Sequence, residues 1–212
     1  MYLYGASGHA KVIIDLLEAE GIAIDALYDD HASATDLFGY PILRPERVEG
    51  PLIVGIGDNA VRKRIAERLT CTFGSAVHPS AVVSPRASIG EGTVVMQGAV
   101  IQSDARIGRH CIVNTGATVD HDCIVGDFAH ISPNASLCGN VHVGEGTQIG
   151  AGSVVVPGIR IGRWSLVCAG SVVTRDLPDG CIAAGNRYNK IIKYMNRTPD
   201  YGAPERGGGN SR

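Results

Sequence analysis

Aliphatic residues recur at every sixth position from Val77 to Val173, seventeen in all, without a break in register. The residue four positions after each of them is Ala, Ser, Thr or Cys in fourteen of the seventeen cases. One large and one small apolar side chain per hexad fit the narrow interior of a three-sided prism whose faces are short strands. The pattern predicts a parallel β-helix with three hexads per coil, so that equivalent positions of every third hexad lie one above the other at the strand spacing.

Residues 1–76 show a different pattern. Short apolar runs at residues 2–4, 24–28 and 52–56 predict three strands. Helical periodicity follows the first run, with Val12, Ile13, Leu16 and Leu17 on one face and Gly21 as the stop signal. A second helix begins after the third run, with Asp58 as its N-cap. Alternating strands and helices predict a small Rossmann-like α/β domain with a parallel sheet.

These patterns divide the chain into three parts: the α/β domain at residues 1–76, the β-helix at 77–178 and a C-terminal cap and tail at 179–212. A short helix is predicted over residues 188–195, because the open end of a solenoid needs a cover. The polar, Gly- and Pro-rich tail after it is expected to be mobile.

The composition argues against several classes of protein. Charged residues make up 19% of the chain and the net charge is −2, so no general attraction to nucleic acid or membranes is expected. The N-terminus lacks the pattern of a signal peptide, and no apolar run is long enough to predict a membrane span. The six cysteines form no CxxC pair, which favours a reduced, cytoplasmic protein.

Polar residues that follow Val119 at a predicted corner carry the candidate chemistry. Among them are His121 and Asp122, and the three-hexad coil places Gly139 one coil above His121. An imidazole beside a carboxylate can accept a proton near neutral pH, and a backbone N–H can polarise a thioester carbonyl. The pattern therefore predicts an acyl-transfer site, with a merely solvated corner histidine as the alternative.

The run NTGATVDHD at residues 114–122, behind GASGHA at residues 5–10, resembles a known family. It is similar to the acetyl-CoA-dependent acetyltransferases that act on nucleotide-linked 4-amino-4,6-dideoxy sugars of the bacillosamine, perosamine and viosamine kinds. The resemblance implies a left-handed β-helix and a homotrimer with its active site between neighbouring prisms. It also implies that His121 is the general base, that Asp122 orients it, and that Gly139 offers its amide to the acetyl carbonyl. His130 and Asn114 are expected to line the same cleft.

The N-terminal domain is the expected nucleotide site. The turn between the first strand and helix has backbone amides that suit a phosphate, and carboxylates at the end of the second strand suit a ribose hydroxyl or a base edge. A solvated turn is the alternative for both. The resemblance implies that the nucleotide-linked sugar is bound by Gly8, His9, Asp29, Asp30 and Asn59.

Coenzyme A is expected along the upper coils. Small residues at or near outward corners, namely Gly139, Ala151, Gly152 and Ala169, leave room for its pantetheine arm. The alternative is that coil geometry alone favours small residues there. Where the family often ends its prism with Gly-x-Pro-Ala-Lys, this chain reads GNRYNK at residues 185–190. Arg187 or Lys190 is therefore expected to replace the usual lysine.

Apolar residues on the strands are expected to face outward, which is consistent with packing of the prisms into a trimer. They are Val82, Val94, Val100, Val154 and Leu166.

Three alternatives to N-acetyl transfer stand beside it. The acceptor could be a hydroxyl, as in sialic acid O-acetyltransferases, or the prism could be a non-catalytic scaffold. Some hexad prisms carry out zinc-dependent hydration with three histidines. That chemistry is disfavoured because the intervals between His121, His130 and His142 bring no two of them to one corner of a coil. The sequence leaves open whether the nucleotide is UDP, GDP or dTDP.

Overall fold

The computed structural model describes residues 1–186 and 190–194. The N-terminal domain contains strands β1 (Tyr2–Tyr4), β2 (Ala26–Tyr28), β3 (Asp36–Leu37), β4 (Tyr40–Leu43) and β5 (Leu52–Val54), and helices α1 (Gly8–Glu20) and α2 (Asn59–Arg68). The sheet order is β3-β4-β2-β1-β5, with β4, β2, β1 and β5 parallel. The β3–β4 hairpin, which sequence analysis missed, extends the predicted three-stranded sheet at one edge.

The two helices begin and end where their capping residues predict. Gly21 closes α1 in the left-handed conformation, at φ 73°, where a side chain would be strained. Asp58 accepts a hydrogen bond from the Val61 N–H at the start of α2. The predicted buried face of α1 was partly wrong: Val12 is 38% exposed and Ile14 is fully buried instead.

Residues 76–173 form the predicted β-helix, in which seventeen two-residue strands make three parallel sheets. The first face consists of Ala76–Val77, Val94–Val95, Ile112–Val113, His130–Ile131, Gln148–Ile149 and Leu166–Val167. The second face consists of Val82–Val83, Val100–Ile101, Thr118–Val119, Ser136–Leu137, Val154–Val155 and Val172–Val173. The third face consists of Ser88–Ile89, Arg106–Ile107, Ile124–Val125, His142–Val143 and Arg160–Ile161.

The interior of the prism is filled by the residues that the hexad pattern selects. Pairs such as Val119 and Leu137 lie one coil apart and face each other on adjacent strands. The large anchors alternate with small residues, among them Ala117 and Cys123, which are fully buried. A continuous apolar column of this kind stabilises each coil only through its neighbours.

The three edges of the prism are named by the faces that they join. Edge 1–2 contains residues 114–117, edge 2–3 contains 120–123 and edge 3–1 contains 126–129, together with their equivalents in other coils. Most corners turn through one residue at positive φ, which is usually Gly, Asn or Asp, because these residues tolerate the left-handed region. Edge 3–1 is the exception, with His110, Phe128 and Trp164 at φ between 52° and 59°.

The bulky residues of edge 3–1 form the surface on which the N-terminal domain sits. The His110 ring stacks on Phe128 with centroids 5.0 Å apart and meets the edge of Phe73 at 4.5 Å. Lys63 of α2 lies over Phe128 and Trp164 and pairs with Glu145. Contact with the domain therefore accompanies the strained corner conformation along this edge.

Helix α1 covers the lower part of the first face. Its buried residues Ile13 and Leu17 share one apolar cluster with Val94 and Ile112 of the prism. Val94 faces out of the prism as predicted, but α1 covers it and leaves it only 2% exposed, so it offers no apolar surface to another chain. Val82 is 64% exposed, which leaves the second face as the uncovered apolar side.

The top of the prism ends in strands where a helix was predicted. Cys181–Ala184 extends the first face in parallel, and Lys190–Tyr194 pairs with it antiparallel. A strand can add to the open sheet edge of the last coil, whereas a helix cannot satisfy its backbone groups. Arg187 and the tail after residue 194 lie outside the described residues. No helix in the described part of the chain has the length and apolarity to cross a membrane.

Candidate active site

His121 stands exposed at edge 2–3 beside a carboxylate. Its Nδ1 lies 2.8 Å from Asp122 Oδ2, and its side chain is 61% exposed. A carboxylate accepts only, so Nδ1 carries the proton, and in the neutral ring Nε2 keeps its lone pair. The hydrogen bond to Asp122 and the charge of Asp120 raise the pKa of His121 above its usual value.

Gly139 lies directly against this imidazole. A Cβ at Gly139 would stand 2.7 Å from His121 Nε2, and the Asn140 N–H donates to the His121 carbonyl at 2.9 Å. Among the described residues, no acceptor partners the Gly139 N–H. The glycine is buried under the ring, so the coil stacking predicted from the three-hexad period brings the two residues into contact.

His130 and Asn114 lie elsewhere on the prism. His130 begins a strand of the first face and Asn114 belongs to edge 1–2, whereas His121 belongs to edge 2–3. The second face separates these two edges within one chain. Any cleft that contains both His121 and His130 therefore requires edges from two copies of the chain.

The hydrogen bond between Asn114 and His130 fixes the tautomer of His130. Asn114 Oδ1 accepts from the Thr115 N–H at 2.8 Å, so its Nδ2 faces His130 Nε2 at 3.0 Å. Nδ2 is a donor, so Nε2 accepts and the proton sits on Nδ1. Burial, with Arg62 and His9 nearby, lowers the pKa of His130 to about 3, and the ring stays neutral.

His9 lies near His130 at the junction of the two domains. Burial and the charge of Arg62 lower the pKa of His9 to about 4. Its Nε2 and the Nδ1 of His130 are both buried without a hydrogen-bond partner in the described part of the chain. A bound molecule or water at this junction could supply the hydrogen bonds that these two buried nitrogens lack.

A cavity of about 450 Å³ opens at the carboxyl ends of β1, β2 and β5. Its lining includes Tyr4, Asp29, Asp30, Arg64 and Arg68. Ligands of parallel α/β sheets bind at this end of the strands. Two carboxylates and two guanidinium groups give the cavity hydrogen-bonding groups of both signs.

The two adjacent aspartates are held differently. Asp29 accepts from the Ala6, His31 and Ala32 N–H groups through its two oxygens, so it shapes the turn. Asp30 Oδ2 accepts from the Tyr4 hydroxyl and from Arg68.

Burial opposes ionisation of Asp30, but the hydrogen bonds from Tyr4 and Arg68 outweigh it and lower its pKa. Burial and the bond to Asp30 raise the pKa of Tyr4 to about 12. Sequence analysis missed Tyr4, Arg64 and Arg68. The signal was present, since Tyr4 ends a strand and both arginines lie on the helix that follows β5.

The other expected nucleotide residues lie outside this cavity. Gly8 opens α1 and is exposed. Asn59 is 9% exposed, donates to the Gly146 carbonyl of the prism and accepts from Arg62. Its side chain therefore joins the domain to the prism, which argues against direct contact with substrate.

The small residues expected near CoA lie on two edges. Ala151, Gly152 and Ala169 are exposed at edge 1–2, whereas Gly139 is at edge 2–3. Lys190 begins the last described strand, but its side chain, like Arg187, is outside the described part. Within one chain the second face lies between these two sets of residues.

Metal-ligating side chains do not converge anywhere in residues 1–186 and 190–194, where no group of three His, Cys, Asp or Glu could hold an ion. The six cysteines are all free thiols.

Two family models match the chain. Residues 1–69 match the PglD N-terminal domain, and residues 86–121, 122–156 and 140–175 match the bacterial transferase hexapeptide repeats. A UDP-N-acetylbacillosamine N-acetyltransferase from Bacillus subtilis (strain 168) is 44% identical over 103 residues. This match covers 42% of the chain and 48% of the relative, so it spans about half the length of that protein.

Solved structures match over nearly the full length. Perosamine N-acetyltransferase from Caulobacter crescentus, a mutant in complex with CoA and GDP-perosamine, is 39% identical with a TM-score of 0.85. The match covers 91% of this chain and 96% of that one. The acetyltransferase domain of PglB from Neisseria gonorrhoeae is 35% identical, with a TM-score of 0.83 and coverage of 90% and 98%.

These matches confirm the resemblance that the sequence motifs indicated. Both the order of the two domains and the hexad prism are shared with relatives that are 35% and 39% identical. The chain therefore belongs to the family of hexapeptide-repeat N-acetyltransferases that carry a PglD N-terminal domain.

Proposed function

We propose that the protein transfers the acetyl group of acetyl-CoA to the 4-amino group of a nucleotide-linked 4-amino-4,6-dideoxy sugar. The observation that carries this proposal is the exposed His121, oriented by Asp122 at 2.8 Å and in contact with Gly139. The perosamine N-acetyltransferase that is 39% identical binds CoA and GDP-perosamine, which are ligands of this chemistry.

The chemistry follows from the free Nε2 of His121. The amine nitrogen attacks the thioester carbonyl, and Nε2 accepts its proton as the N–C bond forms. The Gly139 N–H stabilises the oxyanion once the ring moves toward the substrate. The C–S bond then breaks, and the proton passes from His121 to the departing thiolate. Asp122 stabilises the imidazolium between these two steps.

The complete site needs a second copy of the chain. Edge 2–3 supplies His121, and edge 1–2 of a neighbour supplies Asn114, with His130 beside it on the first face. If three copies pack through their second faces, these two edges meet at each junction. The second face offers Val82, Val100 and Val154 as apolar surface, which supports a homotrimer.

The nucleotide occupies the cavity that Asp30 and Arg68 line, and CoA lies between prisms along Ala151, Gly152 and Ala169. Both are co-substrates, so no resident cofactor or metal is needed. The six free thiols support a reducing, cytoplasmic location.

Thiol release from acetyl-CoA tests the proposal. UDP-, GDP- and dTDP-linked 4-amino sugars are supplied in turn, beside their 4-hydroxy analogues. We expect turnover with one amino sugar and a loss of at least about 100-fold in His121→Ala, with little change in melting temperature. His78→Ala, a corner histidine bonded to Ser80, serves as control. Preference for a hydroxy analogue would indicate O-acetylation, and full activity of His121→Ala would remove this residue from the mechanism.

A further inference from the structure

Arg62 of α2 is the largest side chain that is fully buried in the described structure, at 1% exposure. Its Nε donates to the His110 carbonyl at 2.8 Å, and its Nη1 donates to the Ile56 and Gly57 carbonyls at 2.9 and 3.1 Å. Its Nη2 donates to Asn59 Oδ1 at 2.7 Å and to the Phe128 carbonyl at 2.8 Å.

These five bonds use every N–H of the guanidinium, and every acceptor is neutral. No carboxylate forms an ion pair with Arg62 among the described residues. Asp58 attracts the Arg62 charge without an ion pair, and burial still lowers the pKa of Arg62 to about 10. Burying such a charge opposes folding, so apolar packing alone would be served better by Met or Leu. The fan of five donors can, however, hold several backbone segments at fixed distances, which neither of those residues can do.

The acceptors belong to two separate parts of the molecule. Ile56 lies just after β5 and lines the cavity at the sheet end. His110 and Phe128 occupy the same position of edge 3–1 in consecutive coils, and the first-face strand with His130 begins two residues after Phe128. One guanidinium therefore links the wall of the cavity to the start of the strand that carries His130.

The charge of Arg62 also acts on the histidines at this junction. Burial is the main cause of the lowered pKa values of His9 and His130, and Arg62 adds to it in both. Arg62 thus supports the neutral form of His130, whose Nε2 accepts from Asn114.

We propose that Arg62 is a positioning residue, which fixes the nucleotide cavity at a set distance and angle from the first-face strand that begins with His130. This inference rests on the proposed function, since the distance matters only if a sugar held in the cavity must reach an acetyl group held on the prism. Small errors in such placement reduce rates strongly, by about 100-fold for a shift of about 1 Å.

Arg62→Met and Arg62→Lys test the proposal by a split between binding and turnover. In Arg62→Met we expect kcat with the nucleotide-linked sugar to fall about 100-fold. The KM for acetyl-CoA and the Kd of the free nucleotide should stay within about threefold, because the cavity is lined by the α/β domain alone and the proposed CoA surface by prisms alone. The ammonium group in Arg62→Lys carries three N–H donors on a single nitrogen. This variant should therefore recover part of the kcat that Arg62→Met loses. Arg47→Met, on an exposed loop, is the matched control. A folded Arg62→Met with kcat within about threefold of the parent overturns the proposal.

Arg62→Lys decides the matter if Arg62→Met does not fold. The expectation is then a kcat at least about tenfold below the parent with an unchanged KM for acetyl-CoA, and a kcat within about threefold again overturns the proposal.

A second readout separates this inference from the proposed function. Hydrogen–deuterium exchange needs no substrate: in the variants, amides of residues 56–60, His110 and Phe128 should exchange at least about tenfold faster, with α1 unchanged. If the parent protein acetylates no nucleotide sugar, the proposed function fails while this exchange result still decides the role of Arg62. Equal exchange in parent and variants overturns it.

Discussion

The His121 ring and Gly139, one coil apart, are in direct contact, and a methyl group on Gly139 would stand 2.7 Å from both Cε1 and Nε2. The absence of a side chain at Gly139 therefore determines where the imidazole can lie. The hydrogen bond to Asp122 determines how it is rotated. Together these two contacts place the free Nε2 beside a backbone amide.

Gly139→Ala should separate activity from stability. The new methyl group forces the His121 ring away, and we expect kcat to fall about 100-fold. The ring is 61% exposed and can rotate into solvent, so the free energy of unfolding should change by less than about 1 kcal/mol. Steady-state kinetics and urea unfolding check the two expectations, and parent-like activity would mean that the contact is catalytically irrelevant.

Asp122→Asn should change the pH dependence of turnover. The hydrogen bond to Asp122 and the charge of Asp120 raise the pKa of His121, and the active form is the neutral imidazole. Activity should therefore rise with pH through this raised pKa. Without the carboxylate the rising limb should move to lower pH, while the plateau falls at least about tenfold because the tautomer is no longer fixed. A kcat–pH profile measures both, and a limb that stays in place or moves to higher pH would contradict the prediction.

The protein should lose stability as the pH falls from about 6.5 to about 4. His9, His110 and His130 have folded-state pKa values of about 4, 4 and 3, with burial as the main cause, against about 6.5 when unfolded. In this window the unfolded chain binds protons that the folded chain does not, so each group lowers the free energy of unfolding by up to about 1.4 kcal/mol per pH unit.

His110→Phe tests this linkage. The substitution keeps a ring on Phe128 and removes one titration, so the slope of stability against pH should fall by up to about 1.4 kcal/mol per pH unit over the same window. Chemical denaturation at several pH values gives the slopes. Equal slopes for parent and variant would show that His110 does not contribute to the pH dependence of stability.

Leu137→Ala should destabilise the β-helix strongly. Leu137 is 1% exposed and stacks between Val119 and Val155, so its loss leaves a cavity that costs about 2–5 kcal/mol. Ile124→Ala on the third face, where the side chain is 40% exposed, is the control and should cost less than about 1 kcal/mol. Denaturant unfolding compares them, and equal effects would contradict the assignment of the prism interior.

The hexad repeat was enough to predict the β-helix and the pairing of its strands. It fails at the top of the prism, where Lys190–Tyr194 is a strand and not the predicted helix. The short segment has no periodicity of its own, and the open sheet edge of the last coil decides its conformation. Val94 shows the same limit, because only the position of α1 makes this strand residue internal.

The candidate site was likewise predictable from the sequence only in part. Contact between His121 and Gly139 follows from the coil length, whereas the separation of His121 from His130 on different edges follows from which face each strand occupies. Asn59 was expected to touch substrate, but the structure joins it to Gly146 and Arg62. Nothing near Asn59 in the sequence indicates these partners.

The sequence alone determined whatever depends on the six-residue period: the coil, its apolar interior and the neighbours of His121 one coil away. Such contacts join residues at a fixed spacing, so the chain itself encodes them. Only the tertiary structure decided how the α/β domain sits on the prism. Arg62 reaches the carbonyls of His110 and Phe128, which are 48 and 66 residues away, and backbone acceptors leave no trace in the identity of the residues that carry them.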